Sequence, residues 1–233
     1  MVVAIAPLTP IAAALKMDDK DGSLGLMRLV RRVYIQGQVV EAHSSSPLAV
    51  VPSDESYNFR VDMAAAGEVV ERLQLLQRPV TLLGKHAAYQ VSLTKRDLQS
   101  LDDPCLPSLL IAARDQMQEF KRQNPERFYW LFPVPQQFRC GEATYEWFDH
   151  LPNDTVSHPY DALVVLMAEE DASSSPTQLL FKRASLSQVV EAVGNSEHPA
   201  LHGVNDAGAV KDAIMTLMRR AIQLARNARE SAT

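Results

Sequence analysis

Nine of the chain's fifteen aromatic residues lie between Phe120 and Phe148. Rings of that size carry large buried areas, so a run this dense either centres a core or lines a binding surface. Phe128, Trp130 and Phe132 alternate with Tyr129 and Leu131, the pattern of a strand bearing rings on both faces and covered on both sides. We therefore expect core here. The balance of 46% hydrophobic and 22% charged residues agrees, being that of an ordinary globular protein. At 233 residues there is room for one large core or two smaller ones.

The remaining elements follow from periodicity and punctuation. Residues 2–6 read as an edge strand and 11–17 as a helical turn, and Ser23 caps a helix through Val30. Residues 33–43, with Gly37 as a candidate bulge, 48–51 and 57–63 form a three-stranded meander. A helix over 68–77 stops at Pro79. Strands over 79–83 and 87–93 pair as a hairpin about Gly84-Lys85-His86. Thr94 with Asp97 caps a short helix, and Pro107 opens a longer one.

After a loop over 151–160 the same order returns. Residues 162–168 and 177–182 are strands, Ser185 with Gln188 makes a capping box for a helix ending at Gly194, and Asp206 caps the last helix. That helix carries Val210, Ala213, Ile214, Leu217, Ala221 and Leu224 on one side. The expected fold is α+β: an antiparallel β-meander and hairpins packed with amphipathic helices, ending in a long C-terminal helix. Two subdomains are expected, an α+β part over 1–150 and a hairpin-helix part over 151–233.

Cys105 and Cys140 are too few for a disulfide framework, which points to a reducing, cytoplasmic setting. The apolar N-terminus lacks a preceding basic region and is interrupted by Pro7 and Pro10, unlike a signal peptide. No run approaches the roughly 20 apolar residues of a spanning helix, so no membrane partner is expected.

The net charge of −5 is unevenly spread. Residues 140–206 carry eleven acidic side chains against Lys182 and Arg183, whereas 207–233 carry five basic against two acidic. Such a layout steers a partner or holds the chain's own parts together.

No motif names a reaction. GxGxxG, GxxxxGK[ST] and GxSxG are all absent. Cys140 with His150 or His158 and a nearby Asp149, Asp154 or Asp161 holds the ingredients of a thiol nucleophile, at a spacing that signals nothing. His150, Asp154, His158 and Asp161, or His198 with His202, lack the tight spacing of metal signatures. No catalytic residue, metal or cofactor is therefore assigned. Candidate binding residues are Arg28, Arg31, Arg32 and Arg60 around the meander, and Arg219, Arg220 and Arg226 on the last helix.

The function expected on these grounds is a non-enzymatic intracellular accessory or assembly protein. It would act through protein–protein interaction with a partner or a second copy of itself. Nucleic-acid binding through the same arginines is the alternative, supported by Tyr57 and Phe59 beside Arg60 and opposed by the acidic total. A cysteine-dependent hydrolase is the third reading.

Overall fold

The computed structural model describes residues 1–21, 30–101, 103, 116, 119–126, 155–173, 180–194 and 203–231. The described elements begin with β1 (Val2–Ala4), α1 (Thr9–Asp21), β2 (Val33–Gln36), β3 (Val39–Glu41) and β4 (Val50–Pro52). Next come α2 (Tyr57–Val61), α3 (Met63–Leu75), β5 (Val80–Leu83), α4 (Lys85–Tyr89), β6 (Leu93–Thr94) and α5 (Lys95–Gln99). The last are β7 (Thr155–Ser157), α6 (Tyr160–Ala172), β8 (Phe181–Lys182), β9 (Ala184–Ser185), β10 (Val190–Val193), β11 (Gly203–Val204) and α7 (Ala207–Glu230). Two compact units result: Met1–Gln90 with Tyr160–Asp206, and Val91–Pro159 with Ala207–Thr233.

The first unit is built on a five-stranded mixed sheet of order β1-β2-β5-β10-β9, in which β9 alone runs antiparallel. Its central strands are short runs rich in Val, Ile and Leu, the composition of strands buried on both faces. Register places Val2, Val33, Val80 and Val190 in one row and Ala4, Ile35, Leu82 and Ala192 in another. Side chains two apart share a face. That face meets α1 and α3 in a core holding Leu8, Leu15, Val69 and Leu73.

The row between them, Val3, Tyr34, Thr81 and Glu191, faces the other way. There Tyr34 donates its hydroxyl to Asp171 of α6, at 2.7 Å. Helix α6 buries Leu163, Val164, Leu166, Met167 and Ala168, with its contacts to β1 and β2 on that side, while Val165 is 45% exposed. The sheet thus lies between helical layers.

The second unit pairs β6 with β7 antiparallel and includes α5 and α7. Thr94 and Asp97 form the expected capping box: the Thr94 hydroxyl accepts from the Asp97 amide, and the Asp97 carboxylate accepts from the Thr94 amide. Lys211 reaches the same carboxylate at 3.2 Å, tying α7 to α5. Helix α7 starts directly after Asp206 and buries Val210, Ile214 and Met215, while Leu224 on the expected apolar side is 61% exposed.

The α+β class therefore holds, with a mixed sheet, antiparallel pairs and a long C-terminal helix. Several elements differ from expectation. Residues 57–63 hold helices rather than a third meander strand, although β3 and β4 do form an antiparallel pair. Residues 85–89 are helical where a hairpin turn over 84–86 and a second strand from 87 were expected, and 162–168 belong to α6 rather than to a strand. A continuous apolar run such as Ala162 to Ala168 suits a buried helix as well as a buried strand.

The Ser185 capping box is also overridden. Ser187, not Ser185, accepts from the Val189 and Val190 amides, closing a turn between β9 and β10. The β-branched Val190 and Val193 then enter the sheet beside β5. The helices expected to start at Ser23 and Pro107, and the aromatic run apart from Phe120, lie largely or wholly outside the described residues.

Helix α3 ends with a left-handed residue, Gln77. The Gln77 amide donates to the Gln74 carbonyl and the Arg78 amide to the Leu73 carbonyl, a Schellman arrangement with Gln77 at φ 53°. Left-handed backbone costs a non-glycine residue about 1–2 kcal/mol, partly offset by the greater chain entropy glycine loses on folding. Gln77→Gly should raise stability by about 0.5–1 kcal/mol in urea unfolding; a loss of stability would mean that the Gln77 side-chain bond to the Gln74 carbonyl, at 2.8 Å, outweighs the strain.

Candidate functional site

Strands β2 and β5 run parallel and adjacent, so their carboxyl ends deliver neighbouring chain segments to one edge of the sheet. Strand β2 leads into Gln36-Gly37-Gln38, and β5 into Gly84-Lys85-His86. The loop before α2 closes over them. Ser53 donates its amide to the Gln38 carbonyl at 2.8 Å, and its hydroxyl accepts from the Glu55 amide at 3.3 Å. This turn chemistry, short-range and specific to serine, aims Glu55 back at the strand ends.

Glu55 is the centre of the polar group. Its carboxylate accepts from Gln38 Nε2 at 3.1 Å and pairs with Lys85 Nζ at 3.1 Å. Burial alone would push this carboxyl up, but the Lys85 charge and the hydrogen bonds from Lys85 and Gln38 hold it below the usual carboxylate range. It is ionised at neutral pH. The Lys85 side chain is 10% exposed, so this pair is much better shielded than an ordinary surface salt bridge.

Gln38 is 2% exposed and its Oε1 accepts no hydrogen bond among the described residues. The amide orientation follows from chemistry, since the nitrogen must face the Glu55 carboxylate. A buried acceptor without a donor costs about 1–3 kcal/mol, which a water or a ligand hydroxyl would relieve. Beside it, Asn58 donates to Gln36 Oε1 at 2.8 Å.

Helix α4, which carries Lys85, is held from the other side. Tyr89 meets Tyr160 of α6 edge-on, with ring centroids 5.7 Å apart. Burial pushes the Tyr89 hydroxyl up to about 12, so it stays protonated. The resulting site offers one carboxylate, one ammonium and three carboxamides at the carboxyl end of a parallel sheet, where open α/β sheets bind ligands. The strand order has no reversal here, so the site rests on its side chains rather than on a topological switch point.

Of the expected arginines, Arg31, Arg32 and Arg60 lie in the first unit but contribute nothing to this polar group. Arg28 lies outside the described residues, and Arg31 is exposed. Arg32, just before β2, pairs with Glu191 at 2.8 Å and Asp171 at 3.4 Å, at the opposite end of that strand from Gln38. Arg60 on α2 donates to the Asp54 carbonyl at 3.4 Å. Arg219, Arg220 and Arg226 belong to α7 in the second unit, where Arg219 reaches Ser100 at 3.3 Å.

Cys140, His150, Asp149 and Asp154 lie outside the described residues, as do His198 and His202. Among the described residues no His, Cys, Asp and Glu side chains gather as a metal-holding group, and no helix is long and apolar enough to cross a membrane. Sequence reasoning passed over Gln38, Glu55, Asn58 and Lys85. Their signal was faint: a polar residue flanking glycine immediately after each apolar strand, at 36–38 and 84–86.

No family model and no curated protein matches this sequence. Solved structures do share its fold. The type III effector protein XopQ, solved in complex with adenosine diphosphate ribose, superposes with a TM-score of 0.66 at 23% identity over 95% of this chain. The effector protein XOO4466 gives 0.65 at 22% identity, again over 95%. The chain spans 58% and 59% of their respective lengths.

This likeness overturns the expectation of a non-enzymatic accessory or assembly protein. Nearly the whole chain follows an architecture that in XopQ accompanies a bound small ligand. The charge asymmetry that suggested an assembly role has a local explanation in part, since Arg183, Asp171 and Glu191 of the acidic region pair within the first unit. The nucleic-acid and cysteine-hydrolase alternatives find no support in the shared fold.

Proposed function

We propose that the first unit binds a ribose-bearing nucleotide of the ADP-ribose class at the carboxyl ends of β2 and β5. The observation that carries this reading is the fold shared, over 95% of the chain, with a protein solved around ADP-ribose. The chemistry of the site supports it. Ribose hydroxyls need acceptors, and the Glu55 carboxylate and Gln38 Oε1, which accepts nothing among the described residues, are acceptors in adjacent positions. Lys85, next to them, supplies positive charge toward a diphosphate.

Titration calorimetry with ADP-ribose tests the reading, with adenine and inorganic pyrophosphate as partial ligands. ADP-ribose should bind more tightly than either fragment. Gln38→Leu, close in size but unable to accept, should weaken binding about tenfold, equivalent to about 1.4 kcal/mol. Chromatography of the recovered nucleotide separates binding from turnover. A folded wild-type protein giving neither heat nor a thermal shift at millimolar ADP-ribose would end the proposal.

A further inference from the structure

Between the polar residues of the site lies a contact with no polar atom in it. Phe59 is fully buried, and its ring lies against Gly37. A Cβ built on Gly37 would come within 2.1 Å of Phe59 Cζ and within 2.6 Å of both Cε atoms. Glycine is therefore required there for the approach itself, not for its backbone freedom. Gly37 follows Ile35 by two positions, so the ring closes the top of the core layer that Ile35, Val39 and Val50 share with it.

The neighbours of these two residues in sequence are the site. Gln36 and Gln38 flank Gly37, while Asn58 precedes Phe59 on α2. Asn58 donates to Gln36 at 2.8 Å, and Gln38 donates to Glu55 at 3.1 Å, across the same junction. We infer that Phe59 is a positioning residue: its ring, seated on Gly37, fixes the loop bearing Glu55 and the helix α2 bearing Asn58 against the strand end bearing Gln36 and Gln38. Ring and glycine act as a mechanical stop. Carboxamides have soft terminal torsions, so their hydrogen-bond geometry depends on how firmly the two backbones are held.

The inference rests on the ligand site proposed above, and its test is arranged to fail separately from that proposal. The variants are Phe59→Leu, with Phe59→Met in its place should the first not fold, and a control, Leu15→Ala. Leu15 is equally buried in the same layer but lines an apolar cavity of about 170 Å³ with Val2, Val33 and Leu73, toward the amino ends of the strands. Amide NMR spectra without ligand report the side-chain NH2 groups of Gln36, Gln38 and Asn58. ADP-ribose affinity is measured alongside.

Phe59→Leu should shift or broaden those three NH2 signals and weaken ADP-ribose binding at least tenfold. Leu15→Ala should lower stability comparably while leaving the signals and the affinity within twofold of wild type. Adding Gly37→Ala to Phe59→Leu should restore part of the stability lost in Gly37→Ala alone, because the smaller side chain leaves room for the new methyl. Unmoved NH2 signals in a folded Phe59 variant, or equal movement in the Leu15 control, would overturn the inference. Should wild-type protein fail to bind ADP-ribose, the ligand assignment falls, while the NMR comparison still judges the positioning role.

Discussion

Replacing Arg183 with methionine should cost the first unit about 3–5 kcal/mol, because it strands a buried carboxylate. The Arg183 guanidinium pairs with Glu170 at 3.0 Å and Asp171 at 2.6 Å through Nη2, and with Glu191 at 3.4 Å through Nη1. The Glu170 side chain is 4% exposed and also accepts from the Leu180 amide. Without Arg183 its charge keeps the Leu180 amide but no cationic partner among the described residues, and little water. Arg183→Met with Glu170→Gln should recover most of the loss, since a neutral amide can still accept from Leu180. Urea unfolding of the single and double variants measures both terms. A single variant within about 0.5 kcal/mol of wild type would mean that the cluster behaves as a solvated surface network.

The same cluster fixes the direction of pH dependence. Burial alone would raise the Asp171 carboxyl, but hydrogen bonds from Arg183 and Tyr34, with the charges of Arg183 and Arg32, hold it below the usual carboxylate range. A carboxyl depressed in the folded state contributes stability that is present above its unfolded pKa of about 4 and is lost as pH falls through the folded value. Glu55 contributes with the same sign. The first unit should therefore hold its stability near neutrality and lose it in acid, and Asp171→Asn should flatten that loss.

Gly194→Ala should prevent folding or cost more than about 3 kcal/mol, from two sources that add. Gly194 sits at φ +65°, a conformation that L side chains rarely adopt. Its Cβ would also lie 2.2 Å from the Ala87 nitrogen, 2.6 Å from its Cβ and 2.8 Å from its Cα. These are mainly backbone atoms of α4, two residues beyond Lys85, so any relief moves the helix that presents the site's ammonium group. Gly67 makes the contrast. An added Cβ there meets nothing within 4 Å, and in the helix α3 Gly67→Ala should stabilise by up to about 1 kcal/mol. Thermal unfolding separates the two, and a well-folded Gly194→Ala protein would contradict the packing described for α4.

Parts of this fold were legible because local signals and tertiary context agreed. The β-branched runs at Val33 and Val80, the Thr94–Asp97 capping box and the start of the last helix all appear where their chemistry placed them. Where context overrode local preference, reading failed. Val189, Val190 and Val193 follow a helical spacing, yet Val190 joins a row with Val33 and Val80. The Gly84-Lys85-His86 segment has the look of a hairpin turn, but α4 begins within it at Lys85 and the strand joining the sheet next to β5 comes from residue 190 onward.

The site was harder to read for a related reason. Charge clusters drew attention to arginines, of which Arg32 is engaged by Glu191 and Asp171. Gln38, Glu55, Asn58 and Lys85 come from two successive crossovers and form no motif along the chain. Parallel pairing of β2 with β5 brings them together, and that pairing was not expected.

The most direct test of the central claim is a crystal structure of the protein grown with ADP-ribose. The nucleotide should lie at the carboxyl ends of β2 and β5, with a ribose hydroxyl donating to Gln38 Oε1 or the Glu55 carboxylate. A complex with the nucleotide bound elsewhere, and the Gln38–Glu55–Lys85 group untouched, would contradict it.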